Sequence, residues 1–458
     1  MLNLSLSRIA MWTKGHLHGN DVDVRGVFTD TRAPKVGAMF VALKGDNFDA
    51  HDFVAQAKQA GAAAALVARA VPVDIPQVIV DDTMIALGDL ASAIRAQRRA
   101  RVIGITGSNG KTTVKTLLAS ILVLHGNTHV NAGNLNNEIG LPMSIFDMPE
   151  DTEFAVLEMG AGKPGDIAYL AAIARPEIGL VNNIAPAHLE RMGSLEAIAE
   201  TKGALYTSLP AQGVAVINAD DAFAGFFATL AGNVRRIVRF GIDAKADVRA
   251  ENLQTGPDSR FDLVLPTSRV SIAMPHAGRH NIQNALAAAA CAYALDVPIE
   301  LIKRGIESAP SVKGRLQRYA MSGGWTLIDD SYNANPGSTA AAIATLTAEP
   351  GEAWLVLGDM RELGASARSL HADIGKLAKE NRIARLYAVG ELSAAAAKAF
   401  GAGAKHFETQ AALSAALSGD VHAGVRVLVK GSRGSAMDRV VDALRGENGG
   451  SGGARHAA

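Results

Sequence analysis

Residues 101–116 read R-V-I-G-I-T-G-S-N-G-K-T-T-V-K-T. Val102, Ile103 and Ile105 read as the end of a buried strand, and Gly104, Gly107 and Gly110 punctuate the turn after it. From Lys111-Thr112-Thr113 onward the apolar residues fall at Val114, Leu117, Leu118, Ile121 and Leu122, the spacing of one helical face. A strand, a glycine turn and a helix with Lys-Thr in its first turn make a phosphate site. Backbone N–H groups and the helix dipole face the anion, and the lysine neutralises it. The candidates are Gly107, Ser108, Asn109, Gly110, Lys111, Thr112 and Thr113. The strict phosphate-loop consensus G-x-x-x-x-G-K-[ST] would put a glycine where Ile105 stands, so the match is partial. The alternative is a glycine-rich turn with an incidental surface lysine; the strand–turn–helix order weighs against it.

The chain of 458 residues is long for one core, and roughly three domains are expected. Hydrophobic residues make up 48% and charged residues 20%, which are globular values. Lys+Arg and Asp+Glu both number 45, so no global field draws in nucleic acid or a membrane surface, and any anion site is local. Cys291 is the only cysteine, which excludes a disulfide framework and a cysteine zinc cluster. No apolar run approaches the ~18 residues needed to span a bilayer. The N-terminus lacks a leader pattern, so a cytoplasmic protein without membrane insertion is expected. The Gly-rich tail 446–458 is expected to be disordered.

Working outward, residues 1–98 read as a first unit. Strands are expected at Met39 to Leu43, Ala63 to Val67 and Gln77 to Val80, with helices at Phe53 to Ala60 and Thr83 to Arg98. Polar clusters stand at Asp30-Thr31-Arg32 and at Lys44-Gly45-Asp46, which leads to Asp49 and His51. They are either a loop site for an anionic, hydroxyl-rich ligand or ordinary turn chemistry.

Residues 99–312 form a second unit. Short apolar strands at Phe154 to Leu157, Ile178 to Val181, Val214 to Ile217 and Ile237 to Phe240 alternate with helical stretches. That order predicts a mostly parallel sheet with helices on both faces, its sites beyond the carboxyl ends of the strands. Glu158 falls there, and so does His188 in N-N-I-A-P-A-H-L-E. Glu158 is a candidate metal-bridging carboxylate or a solvated strand-end charge; His188 is a candidate site residue, or a helix cap or surface histidine. Residues 248–274 read as β-structure. An alanine-rich helix follows G-R-H-N, with Asn281 and Asn284 on one face; Asn281 is a natural N-cap, and the pair could equally read an adenine edge.

Residues 313–458 make a third unit, a doubly wound α/β sheet with strands at Trp325 to Ile328, Ala353 to Leu357, Leu386 to Val389 and Val425 to Val429. Polar clusters end three of these strands: Asp329-Asp330-Ser331-Tyr332-Asn333-Ala334-Asn335, Gly358-Asp359-Met360 and Lys430-Gly431-Ser432-Arg433. Three such clusters on one sheet edge argue for a site. Trp325 and Trp354 are expected in the core.

These motifs resemble those of the Mur ligases, from D-T-R at Asp30 to K-G-S-R at Lys430. T-G-S-N-G-K-T-T is similar to that family's phosphate loop, and G-R-H-N-I-Q-N-A-L-A-A and Gly314-Arg315 are also family features. G-N-L-N-N-E-I-G at 133–140, N-N-I-A-P-A-H-L-E at 182–190 and D-D-S-Y-N-A-N-P at 329–336 resemble the branch that adds D-alanyl-D-alanine. One departure is visible: where that branch usually has asparagine two residues after Gly160, this chain has Gly162.

The resemblance implies three domains: one for the UDP end of a precursor, one for ATP, and one that closes over the nucleotide and holds a dipeptide. It implies that ATP phosphorylates the terminal carboxylate of UDP-N-acetylmuramoyl-tripeptide and that the amine of D-alanyl-D-alanine displaces phosphate. It implies roles too. Lys111 holds phosphates. Thr112, Glu158 and His188 serve Mg2+, helped by Lys202 in E-T-K-G-A if that lysine is carbamylated. Asn284 and Arg315 take the adenine, with Asp330 near the ribose. Thr31, Arg32, Lys44 and Gly45 take the uridine nucleotide and sugar. Asn136, Asn137, Asp330, Tyr332, Asn333, Lys430 and Arg433 surround the peptides. A monomer is expected. The rivals are a lysine- or diaminopimelate-adding ligase, a folylpolyglutamate synthase and a phosphate-loop NTPase switch.

Overall fold

The computed structural model describes residues 3–45, 48–186 and 189–446. His188, Asp46 and most of the Gly-rich tail lie outside the described residues. Three main sheets carry the chain, and each is mostly parallel.

The N-terminal sheet has five strands in the order His16–His18, Gln77–Ile79, Ala64–Val67, Met39–Val41, Val27–Phe28; only the first pairing is antiparallel. Its strands are short, and Ala64–Val67, Met39–Val41 and Val27–Phe28 are wholly apolar because both faces are covered, while the edge strand His16–His18 is exposed. The helix Thr83–Ala96 buries Leu87, Leu90, Ala91 and Ile94, as its spacing predicts, in a core shared with Leu157, Leu170 and Leu205 of the central unit. The two units therefore share apolar packing and not only a linker.

The central sheet has nine strands. Six of its neighbouring pairs are parallel, and Val248–Gln254, Ser259–Leu265 and Ser268–Met274 close it as an antiparallel meander. Arg101–Thr106 lies between Phe154–Glu158 and Ile178–Val181. Chain order reverses across that strand, which opens a crevice at its carboxyl end. The loop 107–110 sits there.

The helix Lys111–Leu122 starts on that loop. Its Val114, Leu117, Leu118, Ile121 and Leu122 are all at most 1% exposed and face the alanine-rich helix Arg279–Ala294. Small residues let the two helices approach closely. Asn281 is not an N-cap, as its position in the motif suggests. The helix begins at Arg279 with Gly278 as its cap at φ 94, and the Asn281 amide donates back to the Ala277 carbonyl at 2.8 Å. Gly278 supplies the left-handed turn that moves the start of the helix upstream.

The C-terminal sheet has six strands in the order Gln317–Ala320, Thr326–Asp330, Val425–Lys430, Glu352–Gly358, Arg385–Val389, Ala404–Phe407. Only the first pairing is antiparallel. Trp325 and Trp354 are buried in one of its two apolar layers. Asp330, Lys430 and Gly358 end three adjacent strands, so the polar clusters that follow them share one edge. Among the described residues no helix is long and apolar enough to cross a membrane.

Candidate active site

The phosphate loop needs glycine for two physical reasons at Gly110. Its φ is 79, and a Cβ there would stand 2.3 Å from Asn284 Oδ1 and 2.6 Å from Asn182 Nδ2. The loop is held from below by amides. Asn109 N–H donates to Asn183 Oδ1 at 2.9 Å, and Asn182 Nδ2 donates to the Asn109 carbonyl and to Asn284 Oδ1, each at 2.9 Å. Ser108 Oγ donates to the Ala185 carbonyl at 2.9 Å. Asn284 is thus buried under the loop, and Asn182 Oδ1 is buried with no hydrogen-bond partner among the described residues.

Lys111 Nζ folds back onto the Gly107 carbonyl at 2.8 Å. Burial pushes its pKa down, while the nearby Glu158 pulls it back up. Thr112 Oγ1 donates to Glu158 Oε2 at 3.0 Å, and Asn136 Nδ2 donates to Oε1 at 2.8 Å. Thr113, by contrast, points into the core and is 7% exposed. Glu158 is 3% exposed. Burial raises its pKa, but Lys111, Lys115 and the two hydrogen bonds outweigh it, and the carboxyl stays below the ordinary glutamate value. A buried carboxylate kept ionised by cations and donors is ready to meet a hard cation.

These groups open into one cavity of about 680 Å³. Its walls carry Ser108 to Thr112, Asn136, Asn137, Glu158, Arg191 and, from the C-terminal unit, Arg315, Tyr332, Asn333 and Asn335. Arg315 stacks on the Tyr332 ring at 4.3 Å, and Arg433 stands 5.4 Å from the same ring. Asp330 and Lys430 do not line the cavity. They form a buried ion pair at 2.5 Å, and Lys430 also donates to the Asn333 carbonyl at 3.0 Å. Lys202 lies buried in the helix Leu195–Thr207. Burial and the positive charge of Lys111, against Asp166, bring its pKa down to about 7.

The N-terminal candidates sit apart from the cavity. Arg32 forks onto Asp30 at 2.7–3.1 Å, and Thr31 is half-buried beside it. Lys44 is exposed on a bridge to Asp49, and Gly45 N–H donates to the Phe48 carbonyl at 3.0 Å. Asp49 and His51 make turn contacts, with the His51 N–H donating to Asp49 Oδ1 at 3.0 Å. Ala68 N–H donates to His51 Nε2 at 2.7 Å, so His51 carries its proton on Nδ1, toward Asp49 Oδ1 at 2.5 Å.

Residues 23–106 match the Mur ligase family catalytic domain, 105–292 the Mur ligase middle domain and 314–433 the Mur ligase glutamate ligase domain. The UDP-N-acetylmuramoyl-tripeptide–D-alanyl-D-alanine ligase of Escherichia coli (strain K12) is 44% identical over 453 residues, 98% of this chain and 100% of the relative. The chain belongs to the Mur ligase family.

Solved structures agree with that membership. MurF from Acinetobacter baumannii superposes with a TM-score of 0.92 at 35% identity, covering 97% of this Mur ligase and 99% of that chain. MurF from Thermotoga maritima, solved in complex with ADP, gives 0.83 at 27% identity, covering 93% and 98%. The expected three-domain α/β architecture is therefore that of the family.

Motif reading passed over several residues that this Mur ligase brings to the site. Lys115 is 5% exposed, stands 3.4 Å from Glu158 and donates to the Asn131 and Gly133 carbonyls. The Asn131 side-chain amide pairs with the Glu158 backbone: its Nδ2 donates to the Glu158 carbonyl and its Oδ1 accepts the Glu158 N–H, each at 2.9 Å. The signal for Lys115 was present: it is four residues after Lys111, hence on the same helical face, within an otherwise apolar stripe. Asn131 had none, because it depends on a strand neighbour distant in sequence.

Proposed function

We propose that this chain joins D-alanyl-D-alanine to the C-terminal carboxylate of UDP-N-acetylmuramoyl-tripeptide at the expense of ATP, releasing ADP and phosphate. The observation that carries the reading is the shared cavity. Phosphate-loop groups and strand-end groups of the C-terminal unit face one space, where a phosphoryl donor and an acyl acceptor can meet. The full-length likeness to the Escherichia coli ligase supports the choice of substrates.

Two anions must approach each other for the first step, so charge neutralisation and positioning dominate. Lys111 leaves the Gly107 carbonyl for the phosphates, and the loop N–H groups take their oxygens. A carboxylate oxygen of the tripeptide attacks the γ-phosphorus, the bond to the β–γ bridging oxygen breaks, and ADP leaves. The dipeptide amine then attacks the acyl carbon and loses a proton, and the tetrahedral intermediate expels phosphate as the C–O bond breaks. Arg315, assigned to adenine by motif, lines the same cavity as Lys111, and its charge reaches that lysine; this position argues for the phosphates instead. Asn284, under the loop, keeps the adenine side, and Asp330 acts through Lys430.

The residues present fit Mg2+. A hydroxyl and an ionised carboxylate converge at Thr112 and Glu158, and magnesium needs only one or two protein carboxylates beside phosphate and water. The ion would neutralise the β- and γ-phosphate oxygens. His188 and a carbamylated Lys202 are carried as supports of a second ion. Half-neutral at about pH 7, the Lys202 amine can react with carbon dioxide. Thr31, Arg32, Lys44 and Gly45 remain the proposed UDP contacts. Asn136, Asn137, Tyr332, Asn333 and Arg433 remain the proposed peptide contacts. A cytoplasmic monomer is the proposed state. The test is phosphate release from ATP with the UDP-tripeptide, with and without D-alanyl-D-alanine. Dipeptide-dependent turnover supports the ligase. A single amino acid or glutamate serving better, or equal turnover without an acceptor, overturns it.

A further inference from the structure

The cavity wall that runs on from Glu158 is bare at Gly162. An ideal Cβ there would meet only Arg191 Nη1 at 3.8 Å and Asp166 Oδ2 at 4.0 Å. Arg191, from the short helix Leu189–Met192, therefore reaches over the Gly162 backbone. Lys163 follows on the same wall, and both cations line the cavity. Asp166 is committed elsewhere: its Oδ2 accepts the Gly162 and Lys163 N–H groups at 2.8 and 2.9 Å. Neither the Lys163 nor the Arg191 side chain hydrogen-bonds or ion-pairs with another described residue. An asparagine at position 162 would put its amide into the space that Arg191 now takes.

In the ligase reading, on which this inference rests, the tripeptide's terminal carboxylate meets the γ-phosphate beside Lys111 and Glu158. The side chain of its third residue leaves from that point. Gly160 to Lys163 follow directly on the Glu158 strand and line the same cavity, and a side chain of five bonds extends about 6 Å into it.

We propose that Arg191 and Lys163 form a subsite for a carboxylate at the end of that side chain. They would make the enzyme select a third residue ending in a carboxylate over one ending in an amine alone. The carboxylate of the acceptor dipeptide is the other source of this chemistry. Tyr332 and Asn333, which line the same cavity from the C-terminal unit, and Arg433 beside Tyr332 are the peptide contacts proposed above and would take that carboxylate.

Diaminopimelate and lysine tripeptides differ at this point by one carboxylate, so their kcat/KM ratio reads the subsite. The wild type is expected to favour diaminopimelate. The double variant Arg191→Ala/Lys163→Ala is expected to lower the ratio by about tenfold or more, the value of hydrogen bonds to a charged group. Arg191→Lys should retain most of the preference, and Gly162→Asn should lower it by displacing the guanidinium. Thermal melts of each variant separate folding from binding. A ratio unchanged in the double variant overturns the subsite. So does a rise in KM for D-alanyl-D-alanine with the tripeptide ratio intact. A wild type that turns over neither tripeptide overturns the ligase reading and the subsite together.

Discussion

Asn335 Nδ2 donates to Asn109 Oδ1 at 2.8 Å, joining the C-terminal unit to the phosphate loop across 226 residues of chain. The same side chain caps the helix Pro336–Thr347, since its Oδ1 accepts the Ser338 N–H at 2.8 Å. One residue thus fixes a helix start and grips the loop 107–110. A second, backbone contact runs from Glu190 N–H to the Glu362 carbonyl at 3.3 Å.

The two roles of Asn335 can be separated. Serine caps as well as asparagine but is too short to reach Asn109. Asn335→Ser is expected to melt close to the wild type and to raise the KM for ATP about three- to tenfold, the value of one neutral hydrogen bond. Asn335→Ala loses both roles and should also lose about 1 kcal/mol of stability. Equal ATP kinetics in the serine variant would mean that the contact is not kept during turnover.

Glu158 is the anion that Lys115 and Lys111 share. Glu158→Gln keeps its shape and its Asn136 contact but removes the charge. Lys115, 5% exposed, is then left without a counter-ion. Losing one partner of a buried pair costs about 3–5 kcal/mol. Glu158→Gln/Lys115→Met removes both charges and should recover much of that loss in a denaturant titration. Turnover should recover in neither variant, because the proposed metal ligand is gone. Recovery of activity in the double variant would exclude Glu158 from the chemistry.

Lys202 makes stability depend on pH. Its folded pKa is about 7, against the ordinary 10.5 of a free lysine, so the unfolded chain binds the extra proton between those values. Stability therefore rises with pH through that window and is lost as pH falls from about 10.5 toward 7. Lys202→Met, which cannot titrate, should flatten the slope. The readout is the urea midpoint at several pH values, wild type against variant. Equal slopes would show that Lys202 is solvated in the folded protein. In turnover, Lys202→Ala should be nearly inactive and partly restored by short carboxylic acids; unchanged activity would remove the carbamate role.

The legible parts of the chain were those governed by local periodicity. The stripe from Val114 to Leu122, the alternation of strand and helix, and the strand-end polar clusters all follow from spacing, whereas the short strands His16–His18, Val27–Phe28, Thr128–Val130, Gln317–Ala320 and Ala404–Phe407 carry no such pattern and escape it. Glu158 was visible because a strand end points it into a crevice. Contacts set by tertiary packing were not legible: the Asn131 brace, the Asn109–Asn335 bond and the reach of Arg191 over Gly162 each join residues from separate elements. The N-cap misassignment at Asn281 has a local cause, since Gly278 starts the helix earlier than the amide pattern suggests.

Gly305 tests how closely the phosphate-loop helix is packed. It lies in the helix Ile299–Glu307, and a Cβ added there would stand 2.4 Å from Ile121 Cα and 2.6 Å from its N. Those are backbone atoms, which cannot turn aside as a side-chain end can. Gly305→Ala therefore has to push apart two helices whose facing residues are buried. Alanine favours the helix by about 1 kcal/mol over glycine on propensity alone. Overpacking by one methyl in a dense core costs about 1–3 kcal/mol, so the clash should win and the variant should melt lower. The displaced helix carries Lys111 and Thr112, so ATP binding should weaken as well. Gly225, in the helix Ala224–Leu230, has nothing within 4 Å of its ideal Cβ, and Gly225→Ala should be neutral or stabilising in the same melt. If Gly305→Ala stabilises the protein as Gly225→Ala does, the two helices are not in the contact described.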